Sequence, residues 1–197
     1  MSAIIPPPPG KRIGLLGGSF NPAHEGHLHI SEQAIEYLDL ERVMWLISPQ
    51  NPLKSETDMA PFEQRMADAE HIAKHNPKII VSDVENRLGT SYTVDTLTQF
   101  TGRFPSIGFV WLMGADNMLQ IDQWKDWETI FNTLPIAIFS RPSYSEEVET
   151  SVAATRFADS RMELSQSTQL IDMTAPAWVY LDTPTHPESA TRIRSQD

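Results

Sequence analysis

Short apolar runs separated by stretches of helical period set the pattern of this chain. Arg12 to Leu16 runs straight into Gly17-Gly18, which predicts a buried strand ending in a tight turn. From Gly26 the spacing turns helical, with Leu28, Ala34, Ile35 and Leu38 on one stripe and Glu32, Gln33 and Glu36 outside it. Val43 to Ile47 reads as a second fully buried strand, and Ser48 to Pro61, with three prolines, as a loop. A helix is expected from about Pro61, where proline suits the first turn. Ile79 to Val81 is a third strand, Tyr92 to Phe100 a helix. Ile107 to Met113 and Pro135 to Phe139 are two more strands, separated by a helical stretch ending at Ile130 and Phe131. Ala177 to Leu181 is the last strand, followed by a closing segment from Glu188 to Asp197.

This alternation predicts an α/β fold, a Rossmann-like, doubly wound parallel sheet with helices on both faces and ligands at the carboxyl ends of its strands. With 197 residues and 40% hydrophobic content, one domain over 11–197 is expected, preceded by a flexible leader over 1–10 with four consecutive prolines. Residues 143–172, rich in Glu, Ser and Thr, read as a polar surface insertion.

Composition narrows the chemistry. No cysteine is present, which removes disulfides and thiolate metal sites and fits a cytoplasmic protein. No secretion signal is recognisable, and the longest apolar run, Phe109 to Met113, falls far short of the roughly 20 residues of a membrane helix. A net charge of −11 argues against nucleic acid as a partner. An anion can still bind where backbone N–H groups and a few cations dominate locally, so such a site has to carry its own positive potential.

The segment from Gly17 to Leu28 (GGSFNPAHEGHL) lies between the first strand and the first helix. Gly17 and Gly18 let the backbone turn and approach a phosphate without a Cβ in the way, and Gly26 does the same at the helix start. The helix amino end offers N–H groups and a positive dipole to an anion, and His24 and His27 can both donate to phosphate oxygens. A zinc site is a weaker reading, because no third ligand is near and HExxH spacing is absent. His29 is assigned no role.

This string resembles the signature of the nucleotidylyltransferase superfamily, and its extended form is similar to bacterial nicotinate-nucleotide adenylyltransferases. Later segments follow the same order: Ser48 to Lys54, Ser91 to Leu97 (SYTVDTL), Gly114 to Asn117 (GADN), Trp124 with Trp127, Ser140-Arg141-Pro142, and Ser189 to Arg194 (SATRIR). The resemblance covers nearly the whole chain. HxGH marks the superfamily, whereas SYTxxTL, GADN with its tryptophan, and SATxIR point to the pyridine-nucleotide branch.

The resemblance implies an ATP site of Gly17, Gly18, Ser19, Phe20, His24, Gly26, His27, Gly114, Asp116, Ser189, Thr191 and Arg194. It implies a mononucleotide site of Asn21, Lys54, Tyr92, Thr93, Trp124 and Arg141, with His24, His27, Lys54 and Arg194 carrying the catalysis. Physically, Trp124 offers a face for a pyridinium ring, or else packs in a helix core. Tyr92 and Thr93 open a helix and can hold a ring carboxylate, or else Ser91 or Thr93 is an N-cap. Asp116 can accept from ribose hydroxyls, or else caps the next helix. Ser189, Thr191 and Arg194 can cradle the outer phosphates, or else the triplet is an ordinary helix start, and Lys54 is either a swinging cation or an exposed loop lysine.

The implied reaction transfers the adenylyl group of ATP to nicotinate mononucleotide, giving the dinucleotide and pyrophosphate in NAD biosynthesis. Mg²⁺ is expected to arrive with ATP rather than in a protein cage. The alternatives are a catalytically silent nucleotide-binding protein of the same fold and a sister adenylyltransferase acting on another phosphorylated acceptor. A dehydrogenase is disfavoured, since Gly14 to Gly18 lacks GxGxxG spacing. Two departures stand out: the chain stops three residues after Arg194, and Leu53 stands where relatives often carry His. Monomer and homo-oligomer are both compatible with this length.

Overall fold

A computed structural model describes residues 10–49, 59–142 and 144–186. The strands are β1 (Arg12–Gly18), β2 (Arg42–Ile47), β3 (Ile79–Ser82), β4 (Gly108–Gly114), β5 (Ile136–Phe139), β6 (Arg161–Met162) and β7 (Trp178–Leu181). They form one sheet in the order β3-β2-β1-β4-β5-β7-β6, and every neighbouring pair is parallel. The chain winds one way through β1, β2 and β3 and then restarts beside β1 with β4, which opens a crevice at the carboxyl ends of β1 and β4.

The helices are α1 (Glu25–Tyr37), α2 (Phe62–Ala73), α3 (Val84–Leu88), α4 (Thr93–Arg103), α5 (Ala115–Met118), α6 (Trp127–Thr133), α7 (Ser145–Val148) and α8 (Val152–Arg156). Two apolar clusters cover the two faces of the sheet, as a parallel sheet requires. One joins Leu15, Trp111 and Ile138 to α4 and α6 through Leu97, Phe100, Ile130 and Phe131. The other joins Leu16, Val43, Trp45 and Phe139 to α1 and α2 through Ala34, Leu38, Ala69 and Ala73. No helix among the described residues is long and apolar enough to cross a membrane.

Two expectations are corrected. The stretch expected as a polar surface insertion is woven into the domain. It supplies β6, puts Val148, Ala153, Ala154 and Phe157 into one apolar cluster and Leu170 and Ile171 into the other. Its apolar residues come singly or in runs of two or three, as in Val152-Ala153-Ala154 and Leu170-Ile171, too short to announce an element. Arg161 lies over the Trp178 ring at 5.3 Å and pairs with Glu149, which fastens this edge. The other correction concerns Gly17 and Gly18. Both stay in β1, paired with Leu46 and Ile47, and the chain turns only at Phe20, whose φ is +46°. Residues 1–9 of the expected leader and the closing segment from 187 lie outside the described residues.

Candidate active site

The loop after β1 delivers its two histidines to the start of α1. His24 is the N-cap, in extended conformation, and its Nδ1 accepts from the Gly26 N–H at 3.1 Å. Its own N–H donates to Nδ1 of His27 at 3.2 Å, and the two rings lie 3.9 Å apart. This is a capping box in which imidazoles play the parts usually taken by Ser and Glu. A backbone N–H only donates, so each Nδ1 is unprotonated and each neutral ring carries its proton on Nε2. The cap thereby selects the tautomer.

His24 is 4% exposed, and burial, followed by the fields of Arg141 and His186, lowers its pKa from 6.5 to about 4. It is therefore a neutral donor at pH 7, contributing a directed N–H and no formal charge. The amides of Gly26 and His27 bond to the ring and carbonyl of His24. The anion-binding capacity expected of those amides is thus relayed to side chains. Phe20 supports His27: buried, and in left-handed backbone that costs about 1 to 2 kcal/mol, it places its ring 4.5 Å from His27 and 5.2 Å from Trp45.

Across the crevice, Asp116 in α5, just after β4, and Arg141 after β5 lie 3.5 Å apart. Gly114 is their seat, because a Cβ there would fall 2.4 Å from Asp116 Oδ1 and 2.7 Å from Arg141 Nε. Gly17 serves similarly, as its missing Cβ would lie 2.3 Å from the Trp111 ring. Its use is steric room and not a turn. At Gly18 an added Cβ would only touch Phe20 at 3.5 Å.

A cleft between α1 and the ends of β5 and β7 is lined by Gly26, His29, Gln33, Arg141, Pro184 and His186. His29 and Gln33 both reach the Pro184 carbonyl, at 2.7 and 2.9 Å, and Gln33 accepts from the Thr183 hydroxyl at 2.8 Å. Ser140 donates to the Thr183 carbonyl at 2.6 Å. Sequence reasoning gave His29 no role and missed Gln33, Thr183 and His186 as parts of the site. They converge from segments some 150 residues apart, with no local signal.

A second group gathers at the start of α4. Tyr92 is its N-cap without a side-chain cap bond, so neither Ser91 nor Thr93 caps this helix. Lys125 lies over the Tyr92 ring at 4.7 Å and pairs with Asp95 at 3.0 Å, which joins this helix start to the segment bearing Trp124. Trp124 follows a short 3-10 turn, Ile121–Gln123, and packs partly buried against the cluster containing Val94 and Met118. It stands at the end of that turn and not within a helix, with part of its surface on the core.

Beneath the β1 loop lies Arg65 of α2, which sequence reasoning passed over although it shares an i, i+4, i+8 stripe with Ala69 and Ala73. Asn21 accepts from the Ala60 N–H at 3.1 Å, and so holds the neighbouring loop. Lys54, Ser189, Thr191 and Arg194 lie outside the described residues. Among the described residues no group of three or more His, Asp or Glu could hold a metal ion.

The pattern of the cytidylyltransferase-like family matches residues 15–196. A protein of Parvibaculum lavamentivorans named "Probable nicotinate-nucleotide adenylyltransferase" is 52% identical over 95% of this chain and 93% of its own. One of the same name from a Caulobacter species is 48% identical over 94% of this chain and 97% of its own. Among solved structures, the nicotinic acid mononucleotide adenylyltransferase of Plasmodium falciparum complexed with NaAD superposes with a TM-score of 0.69. At 19% identity, covering 94% of this chain and 83% of that one, it shares the fold. With a reciprocally capped histidine pair at the switch point of a parallel sheet and likeness of this extent to its relatives, the chain belongs to the nicotinate-nucleotide adenylyltransferases, within the cytidylyltransferase-like family.

Proposed function

We propose that this protein transfers the adenylyl group of ATP to nicotinate mononucleotide, giving nicotinate adenine dinucleotide and pyrophosphate. The observation that carries this reading is the reciprocal His24–His27 cap, which leaves both rings with Nε2–H donors beside the β1–β4 crevice. In-line attack by the mononucleotide phosphate on the α-phosphorus needs no protein nucleophile. The barrier is the meeting of two anions, and positioning with directed donors lowers it. His27 would hold the α-phosphate and His24 the outer phosphates, where a neutral donor binds without an added proton.

Trp124 would stack on the pyridine ring, with Tyr92 and Thr93 holding its carboxylate. Arg141 would meet the mononucleotide phosphate and Asp116 the ribose hydroxyls. Ser19 and Asn21 support these groups through the loop. Lys54, Ser189, Thr191 and Arg194 complete the cradle in this reading. The donor set present suits a metal brought by the substrate: Mg²⁺ would be held by phosphate oxygens and water, and would neutralise triphosphate charge. The absence of cysteine supports a cytoplasmic setting.

The test is pyrophosphate release with ATP and Mg²⁺, offering nicotinate mononucleotide, nicotinamide mononucleotide and phosphopantetheine in turn. Release with nicotinate mononucleotide at the highest kcat/KM is expected. ATP binding with no release would establish a silent nucleotide-binding protein, and release with phosphopantetheine a sister enzyme.

A further inference from the structure

A cation inside this acidic protein has no acidic partner among the described residues. Arg65 is 1% exposed and sits on the buried stripe of α2. Its guanidinium donates to four backbone carbonyls: Ser19 at 2.6 Å, Ser48 at 2.7 Å, Pro49 at 2.9 Å and Ala60 at 3.0 Å. Its aromatic neighbour is Phe62, 5.5 Å from the guanidinium carbon. No carboxylate among the described residues lies within salt-bridge distance, and Glu63, exposed on the same helix, acts only through its longer-range field.

The carbonyls come from three places: the loop after β1 that carries His24, the exit of β2, and the approach to α2. Ser48 is held further, by its N–H on the Gly18 carbonyl at 2.9 Å and by its hydroxyl on Glu85. One planar fork therefore sets the spacing between the loop after β1, the exit of β2 and the approach to α2, a geometry that a lysine cannot reproduce. Carbonyl dipoles satisfy its donors but leave the formal charge in place, since arginine keeps its proton in proteins.

We propose that Arg65 is a positioning residue for adenylyl transfer: its guanidinium holds the loop after β1 in register with the exit of β2 at Ser48 and Pro49 and sets beneath both a positive charge that no carboxylate of the described residues contacts. It rests on the function proposed above. A buried charge is screened far less by salt than an exposed one. In a chain of net charge −11 it supplies local positive potential to a site for two anions.

The experiment compares the wild type with Arg65→Lys, Arg65→Met and Lys74→Met, the last removing an exposed charge from the end of the same helix. Turnover is measured from low to high ionic strength, ATP binding by calorimetry, and amide exchange at Ser19 to Asn21 by mass spectrometry. Arg65→Met is expected to raise KM for both substrates about tenfold and to flatten the salt dependence of kcat/KM. Arg65→Lys is expected to keep that salt dependence while kcat falls and exchange in the loop quickens. Lys74→Met should resemble the wild type. A folded Arg65→Met with wild-type KM and salt dependence would overturn the proposal. Should that variant not fold, Arg65→Lys with unchanged kcat and unchanged loop exchange would overturn it instead. A wild type that releases no pyrophosphate would refute the functional reading, and Arg65 would then be judged on ATP affinity alone.

Discussion

The backbone N–H of His24 donates to the ring of His27 at 3.2 Å, so one histidine fixes which nitrogen of the other carries the proton. Removing the His27 ring thus does two separable things. His27→Ala is expected to lower kcat by about 10² to 10³-fold, the usual loss when one directed donor to a developing charge disappears. Stability should fall by only about 1 kcal/mol, the worth of a helix cap. Steady-state kinetics with urea unfolding checks both, and unchanged turnover would remove His27 from the site.

Stability against pH should show two buried groups pulling in opposite directions. His24 has its pKa lowered to about 4, so the folded state prefers it neutral; its contribution is present above 6.5 and is lost as pH falls toward 4. Glu85, 6% exposed, has its pKa raised by burial from 4.5 to about 7, against the Ser48 hydrogen bond; its contribution is present below 4.5 and is lost as pH rises through 7. At 1.36 kcal/mol per pH unit each window amounts to about 3 kcal/mol. The wild type should therefore change little between them. His24→Asn should lose stability as pH rises, and Glu85→Gln should gain it. A Glu85→Gln profile parallel to the wild type in urea unfolding would count against the assignment.

The two seat glycines should fail in different ways. Gly17→Ala drives a methyl into Trp111 and should cost about 1 to 3 kcal/mol by overpacking, read by denaturation. Gly114→Ala pushes Asp116 and Arg141 apart, and a displacement of that kind should lower kcat/KM by as much as about 10²-fold. Equal kinetic losses in the two variants would show that Gly114 has no special tie to the site.

Strand positions were largely legible in the chain because a buried parallel strand is a contiguous apolar run, as in Val43 to Ile47 and Phe109 to Met113. β6, with Arg161 and Met162, gave no such run, since its pairing to β7 supplies the context that its two residues lack. Candidate site residues from His24 to Arg141 could be named from motifs, which are local. What those residues touch could not.

The order of the longer strands, the parallel sheet and the histidine pair around Gly26 belong to the sequence by itself, because hydrophobic period and glycine spacing act over a few residues. The neutrality of His24, the seating of Trp111 over Gly17 and the guanidinium of Arg65 under Ser19 were decided only by tertiary structure. Each depends on burial and on partners brought from distant segments, and desolvation has no signature along the chain.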